Sequence, residues 1–455
     1  VIKKFFFFLL IISIVFGSVF AFLKYSDFFE KKEPLEQETS LPPELPAILL
    51  GESYFEEGFY TLALEEFLEA LEEEQNPSQQ KEIFLKIGET HSKLKNFESA
   101  IENFKHAGHI QNSPELQLRL VKEHIRMFDI KSADARLPFL EGVFEEADFS
   151  IFLHKLLAGL DPTELSPPPF IENKKLSDIH KAYETFALYK DSPSDFLLTL
   201  IVKSLEENKE YEYAILLGEK IIEKNPEYRD ALLLHGYASL AKEMFEKASL
   251  SFKKAYEIDP LRPDTQYFLG VTLEALGNKK DAYSYYDLAY KNGYTPRIHV
   301  LQKLADLSFE FELYSQALNL YEEFLTLSKN DPDDFIRPVF IALEKQKNYE
   351  KAENFAKKAL SYFPESAQSY NLLAWVSLES GDIPLAQSYI NKSFEINPLF
   401  APAHLNQGHI YVKLESIKEA LESYEKAYSF DKNGPIGERA IVFYNELLQK
   451  YKGEW

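Results

Sequence analysis

The sequence predicts an all-α chain: an α-solenoid of stacked antiparallel helix pairs behind an N-terminal hydrophobic helix. Three observations carry this expectation. Alanines recur at Ala248, Ala282, Ala317, Ala352, Ala386 and Ala420, with spacings of 34, 35, 35, 34 and 34 residues. Four residues after each stands a mostly large apolar position (Phe252, Tyr286, Tyr321, Ala356, Ile390, Tyr424). Near the amino end, Phe5 to Leu23 is an apolar run broken only by Ser13, Gly17 and Ser18. A fixed period of roughly 20–50 residues is the mark of a repeat architecture, in which each unit buries its apolar face only against its neighbours.

The apolar run comes first in the chain. Lys3 and Lys4 precede it, and its nineteen residues would span about 28 Å as a helix, close to the hydrocarbon thickness of a bilayer. Residues 1–24 read as a signal anchor or a signal peptide. Val19-Phe20-Ala21 offers small residues for cleavage, whereas the length of the run favours an anchor. Lys3 and Lys4 place the amino end in the cytoplasm, and Lys24, Lys31 and Lys32 on the far side oppose that placement. Under either reading the rest of the chain is expected outside the cytoplasm, in a periplasm or cell envelope, membrane-anchored or secreted after cleavage. Residues 25–44, charged and bearing Pro34, Pro42 and Pro43, read as a linker.

Two repeat units follow at 45–114. Gly51, Tyr54, Ala63, Phe67 and Ala70 form one, and Gly88, Ala100, Phe104 and Ala107 the next, with a closing proline two residues late at Pro77 and Pro114. Residues 115–194 depart from the pattern. Pro138 would interrupt a helix due near Ala133, Pro167-Pro168-Pro169 marks a break, and Ala182 with Phe186 looks like a second helix lacking its first. The segment reads as two decayed repeats with an insertion, or as a joint on which two arrays pivot. The main array runs from 195 to 432. Ala214 and Pro226 open it, Gly236, Gly270, Ala374 and Gly408 stand twelve residues before their alanines, and Pro260, Pro364 and Pro398 close units. Residues 433–455 contain a final amphipathic helix with Ile436, Ala440, Phe443, Leu447 and Leu448 on one side, a cover for the last repeat.

This pattern resembles the tetratricopeptide repeat (TPR) family, whose unit of 34 residues has a small residue in helix A and an Ala-x3-aromatic-x2-Ala pattern in helix B. The small residues let the two backbones approach where the helices cross, the aromatic fills the gap between pairs, and proline stops helix B. Nine units fit. The resemblance speaks for the fold and little for a particular function.

Composition narrows the functional classes. Apolar residues make up 45% of 455, enough for a large core, with only 17 glycines and 23 prolines. The net charge of −23 repels phosphate backbones, so nucleic acid is not expected as a partner. The chain has no cysteine, which removes disulfides, thiolate zinc sites and thiol nucleophiles. No phosphate-binding glycine loop, nucleophile elbow, zinc helix or calcium loop occurs. His106 and His109 lie three apart but lack a third ligand. No catalytic residue, cofactor or metal is therefore expected.

In the family, helix A lines a concave groove. Carried onto this chain, the resemblance implies a groove bearing Leu233, Tyr237, Tyr267, Val271, Phe309, Ile341, Asn371, Trp375, Leu378, Leu405 and His409. The lysine–asparagine clamp of some relatives is absent, and Asn371 and Asn406 stand at different positions of their repeats, so no asparagine ladder is expected. The expected function is a non-enzymatic, membrane-tethered scaffold. It would recruit envelope proteins by an extended or helical segment anchored on Trp375, Tyr237 and Tyr267. The alternatives are a periplasmic holdase or assembly factor using the same groove, and a cryptic enzyme in 115–194 around His154 and His180.

Overall fold

The computed structural model describes residues 46–140, 145–168, 173–189, 192–328 and 331–451. The apolar run at 5–23 and the linker lie outside these residues. Among the described residues no helix is long and apolar enough to cross a membrane.

The chain divides into two compact units, Val1–Leu94 and Lys95–Trp455. In the first, α1 (Ala47–Glu56), α2 (Tyr60–Glu73) and α3 (Pro77–Lys93) enclose Tyr54, Ala63, Phe67, Ala70, Ile83 and Ile87. In the second, α4 (Phe97–Ile110), α5 (Pro114–Arg126), α6 (Ile130–Asp134), α7 (Glu145–Leu157) and α8 (Lys174–Ala187) come first. The regular array follows: α9 (Ser194–Glu207), α10 (Tyr211–Lys224), α11 (Arg229–Ala241), α12 (Phe245–Ile258), α13 (Pro263–Ala275), α14 (Lys279–Lys291), α15 (Arg297–Glu310) and α16 (Tyr314–Leu327). It continues through α17 (Ile336–Phe340), α18 (Tyr349–Tyr362), α19 (Ala367–Glu379), α20 (Ile383–Ile396), α21 (Ala401–Lys413), α22 (Ile417–Phe430) and α23 (Pro435–Lys450).

In four pairs the crossing is set by a missing side chain. A Cβ on Gly236 would lie 2.7 Å from the Phe252 ring, and one on Gly270 would lie 2.8 Å from Tyr286. Gly408 meets Tyr424 in the same way, and Gly51 meets Phe67 in the first unit. The alanines at the head of each helix B, from Ala248 to Ala420, are fully buried. Small residue and ring are thus two halves of one packing contact.

The turn from helix A to helix B is equally periodic. Lys209, Glu243, Gly277, Glu312, Lys347, Gly381 and Glu415 all have φ between 51° and 89°. The next amide reaches back over the turn, as from Glu210 to the Leu205 carbonyl (2.9 Å), Met244 to Ser239 (2.9 Å) and Asp382 to Ser377 (2.9 Å). This is the left-handed helix cap. Five of the seven positions are not glycine and carry the strain of that conformation. Neighbouring pairs are further tied by Lys242–Glu212 (2.6 Å), Lys303–Glu274 (2.9 Å) and Lys279–Glu310 (2.5 Å). Such partly exposed pairs are worth about 1 kcal/mol or less each.

The two spacings of 35 have structural sources. Helix α15 holds 14 residues where α11 and α13 hold 13. In the next pair the extra residue is absorbed by a π-helical turn, Ile341–Lys345, that continues α17, and the Asn348 amide reaches the Ala342 carbonyl at 2.8 Å.

Some expectations change. Pro77 and Pro114 do not close a helix. Each opens the next one behind a side-chain cap, Asn76 accepting from the Ser78 amide (2.9 Å) and Ser113 from the Leu116 amide (3.3 Å). Pro138 does end regular helix near Ala133, in a 3-10 turn Leu137–Phe139. The segment 115–194 shares one continuous core with the array, from Leu118, Val121 and Ile125 through Leu153, Ile179 and Leu197 to Tyr213 and Ala238. Its Ala182 helix does have a preceding helix: Phe152 of α7 and Tyr183 of α8 pack edge to face, centroids 6.4 Å apart. In α23, Leu447 is buried but Leu448 is exposed.

Two substitutions test the packing logic. Gly408→Ala should destabilise the chain by about 1–3 kcal/mol, because Tyr424 cannot yield without leaving its rotamer. Glu312→Gly should stabilise it by roughly 0.5–1 kcal/mol by relieving a left-handed non-glycine residue. Both are read from urea and thermal unfolding followed by circular dichroism.

A candidate partner-binding groove

The helix A elements α17, α19, α21 and α23 stand side by side at the end of the array, and a groove of about 780 Å³ runs across them. Its residues fall into rows set by the repeat. Phe340, Trp375, His409 and Phe443 form an aromatic row, one residue per helix. Ile336, Asn371, Leu405 and Arg439 form a second, and Lys345, Glu379 and Lys413 a third. The Phe340 and Trp375 ring centroids are 6.2 Å apart, and those of His409 and Phe443 are 4.7 Å apart, edge to face.

The floor is held from beneath. Asn406 donates through Nδ2 to Asn371 Oδ1 at 2.8 Å, joining α21 to α19, and both side chains are buried. The Tyr424 hydroxyl lies 2.9 Å from His409 Nδ1. Burial lowers the His409 pKa to about 4, with Arg439 and Lys413 pushing the same way, so the ring is neutral near pH 7 and shares a neutral hydrogen bond with the tyrosine hydroxyl. Burial likewise holds the Tyr424 phenol protonated.

Asn371, Trp375, Leu378, Leu405 and His409 line this groove. The other expected residues lie elsewhere. Ile341 is fully buried in the core. The π-turn supplies the reason: it adds one residue to the helix, so Phe340 stands in the register that a uniform step of 34 from Trp375 would assign to Ile341. Tyr267 is 8% exposed and stacks on Tyr294 at 4.1 Å. Tyr237 packs edge to face on Phe268 at 4.5 Å, and Leu233 is buried beside Phe252. Val271 and Phe309 are half-buried, Phe309 beneath the Arg337 guanidinium and 6.0 Å from Phe340. Phe340 and Arg439 are groove residues that sequence reasoning missed. The steps of 35 and 34 on either side of Trp375 were the available signal for Phe340 and Phe443.

Catalytic arrangements can be judged by access. Ser251 Oγ lies 2.7 Å from His235 Nδ1, and His235 Nε2 lies 3.6 Å from Glu219. Ser251 and His235 are 5% and 4% exposed, so this constellation ties α11 to α12 inside the core and offers a substrate no approach. In the atypical segment, His154 Nδ1 is bonded to Asp134 and its Nε2 is buried. His180 Nδ1 donates to the Pro168 carbonyl at 2.7 Å. Among the described residues no group of three or more His, Asp or Glu side chains is placed to hold a metal ion.

Two family profiles match parts of the chain. One described as "Anaphase-promoting complex, cyclosome, subunit 3" covers residues 345–427, and one described as "Tetratricopeptide repeat" covers residues 82–107. The chain is 27% identical over 77 residues to "Uncharacterized protein ycf37" of Pyropia yezoensis, a match covering 17% of this chain and 43% of that protein. The chain thus spans less than half the length of the curated relative it matches. Among solved structures, the C-terminal part of a TPR repeat-containing protein from Cytophaga hutchinsonii is 16% identical, covering 53% of this chain and 98% of that one at a TM-score of 0.43. The Cut9–Hcn1 hetero-tetramer of the APC/C is 15% identical, covering 88% and 83% at 0.34, and pilF of Pseudomonas aeruginosa is 19% identical, covering 47% and 96% at 0.34.

The half-buried imidazole makes the groove acid-sensitive. The folded pKa of His409 lies below its ordinary value of 6.5, so its contribution is fully present above about pH 6.5 and disappears as pH falls toward 4. Denaturation of the C-terminal repeats should lose roughly 2–3 kcal/mol over that range. His409→Gln should flatten this part of the pH profile.

Proposed function

The chain is a tetratricopeptide-repeat protein, and we propose that it is a non-enzymatic scaffold that takes a segment of a partner protein into the groove across α17, α19, α21 and α23. One observation carries the reading. The aromatic row Phe340, Trp375, His409 and Phe443 lies along a groove whose polar floor is tied by the Asn371–Asn406 and Tyr424–His409 bonds. The row is therefore held in place before any partner arrives, which lowers the ordering cost of binding. Trp375 is only partly buried in the free chain, so an apolar side chain laid against it gains burial without displacing core.

The second part of the proposal concerns place. The apolar run Phe5–Leu23 tethers the array to a membrane with its repeats outside the cytoplasm, in a cell envelope, so that captured proteins are gathered at that membrane. A holdase would use the same groove for many unfolded clients. The ordered row of one ring per helix favours a defined segment instead.

Trp375→Ala should weaken the partner by about 2 kcal/mol, some 30-fold, while far-UV circular dichroism stays unchanged. Affinity purification of tagged full-length protein from its own membranes reads this directly. One stoichiometric partner lost in the variant supports the scaffold. Many weak companions that survive the substitution contradict it. The full chain should also sediment with membranes after carbonate washing, and removal of residues 1–24 should release it. Release of the intact chain by carbonate would refute the tether.

A further inference from the structure

The chain carries 73 acidic residues against 50 lysines and arginines, so a cation without an acidic neighbour runs against its overall balance. Around the groove some cations face acids, Lys347 with Glu344 (3.2 Å), Lys357 with Glu353 (2.8 Å) and Lys392 with Glu395 (2.7 Å), while Lys358, Lys418 and Lys426 project from the helix B elements without an ion pair to a described acid. The groove itself carries three cations. Lys345, Lys413 and Arg439 line it, and none of them forms an ion pair with a described acid. Of the three lining acids, Glu344 is taken by Lys347, Asp333 stands at the opposite end of the row of helices from Arg439, and Glu379, on α19 one repeat from Lys413, forms no ion pair with it. Arg439 and Lys413 converge on His409, close enough that both disfavour a proton on its ring. The α21–α23 end of the groove is therefore a cationic edge against an apolar wall of Trp375, Leu405 and Phe443.

We infer that the segment received by this groove is an acidic one: an extended stretch of a partner protein that sets a side-chain carboxylate between Arg439 and Lys413 and lays neighbouring apolar side chains against Trp375 and Leu405. The inference rests on the groove reading above and specifies its occupant. Two unpaired cations beside low-dielectric aromatic walls attract a carboxylate more strongly than the same cations would in open water. They also reject a lysine or arginine at that point, which gives the groove a sense of direction. The apolar wall selects a polypeptide over a polyphosphate, and a chain of net charge −23 repels nucleic acid.

The test uses the full-length protein and two dye-labelled peptides, one alternating leucine with aspartate and the other carrying lysine for each aspartate, followed by fluorescence anisotropy. The aspartate peptide should bind at least tenfold more tightly than the lysine peptide. Arg439→Gln with Lys413→Gln should remove at least tenfold of that affinity without weakening the lysine peptide. Both residues are solvent-exposed, so the double variant should fold, which its circular dichroism verifies. Equal or tighter binding of the lysine peptide overturns the inference, as does an unchanged double variant or a failure of both peptides to bind. The groove reading is separated by Trp375→Ala. If the lysine peptide is preferred yet lost in that variant, the groove stands and the charge inference falls. If peptide binding is indifferent to Trp375, both fall.

Discussion

The array depends on close helix crossings, and in three of its pairs the crossing is an aromatic ring with no Cβ in front of it. Phe252, Tyr286 and Tyr424 sit over Gly236, Gly270 and Gly408, so in each of these repeats the two helix backbones approach closely at one point. That crossing fixes the angle of helix A against helix B. The left-handed cap five residues before the next alanine then turns the chain back on itself. With crossing and cap both locked to the repeat, equivalent positions of successive helices come into line, and side chains one repeat apart become neighbours. The groove rows are a consequence of this register, not of any local motif.

The same constraint explains what the sequence revealed and what it hid. The period, the small residues at the crossings and the recurring alanines were legible because they are sampled many times along the chain, whereas the aromatic expected in the gap between pairs packs on the glycine of its own pair. Five of the groove residues, Asn371, Trp375, Leu378, Leu405 and His409, were legible because the last repeats keep their step of 34. Ile341 was not, because a spacing of 35 says that one residue is extra without saying where it goes. The π-turn at Ile341–Lys345 places it inside helix A and brings Phe340 round instead. The Asn371–Asn406 bond was hidden for a different reason. The two residues occupy different positions of their repeats, and only the packing of α19 on α21 makes them partners. Tyr267 was misleading because Tyr294, in the loop after α14, stacks on it, and a loop residue carries no periodic signal.

The polar groups under the groove show how an apolar surface can be kept open in water. His409 would be costly to bury charged, and Tyr424 gives it a neutral hydrogen bond. The two asparagines satisfy each other. Above them the aromatic row remains partly exposed, and the cations Lys413 and Arg439 stay without acidic partners at its edge. In a chain so rich in glutamate, such a face is consistent with a surface meant to be completed by another molecule.

The central claim is that this row meets the partner. Its most direct measurement is site-specific photo-crosslinking in the native membrane, with the crosslinking amino acid placed at Phe340 in one variant and at the exposed Lys357 of α18 in another. The account predicts a partner adduct from position 340 and none from position 357. An adduct from 357 alone would contradict it and move the binding surface to the helix B side of the array.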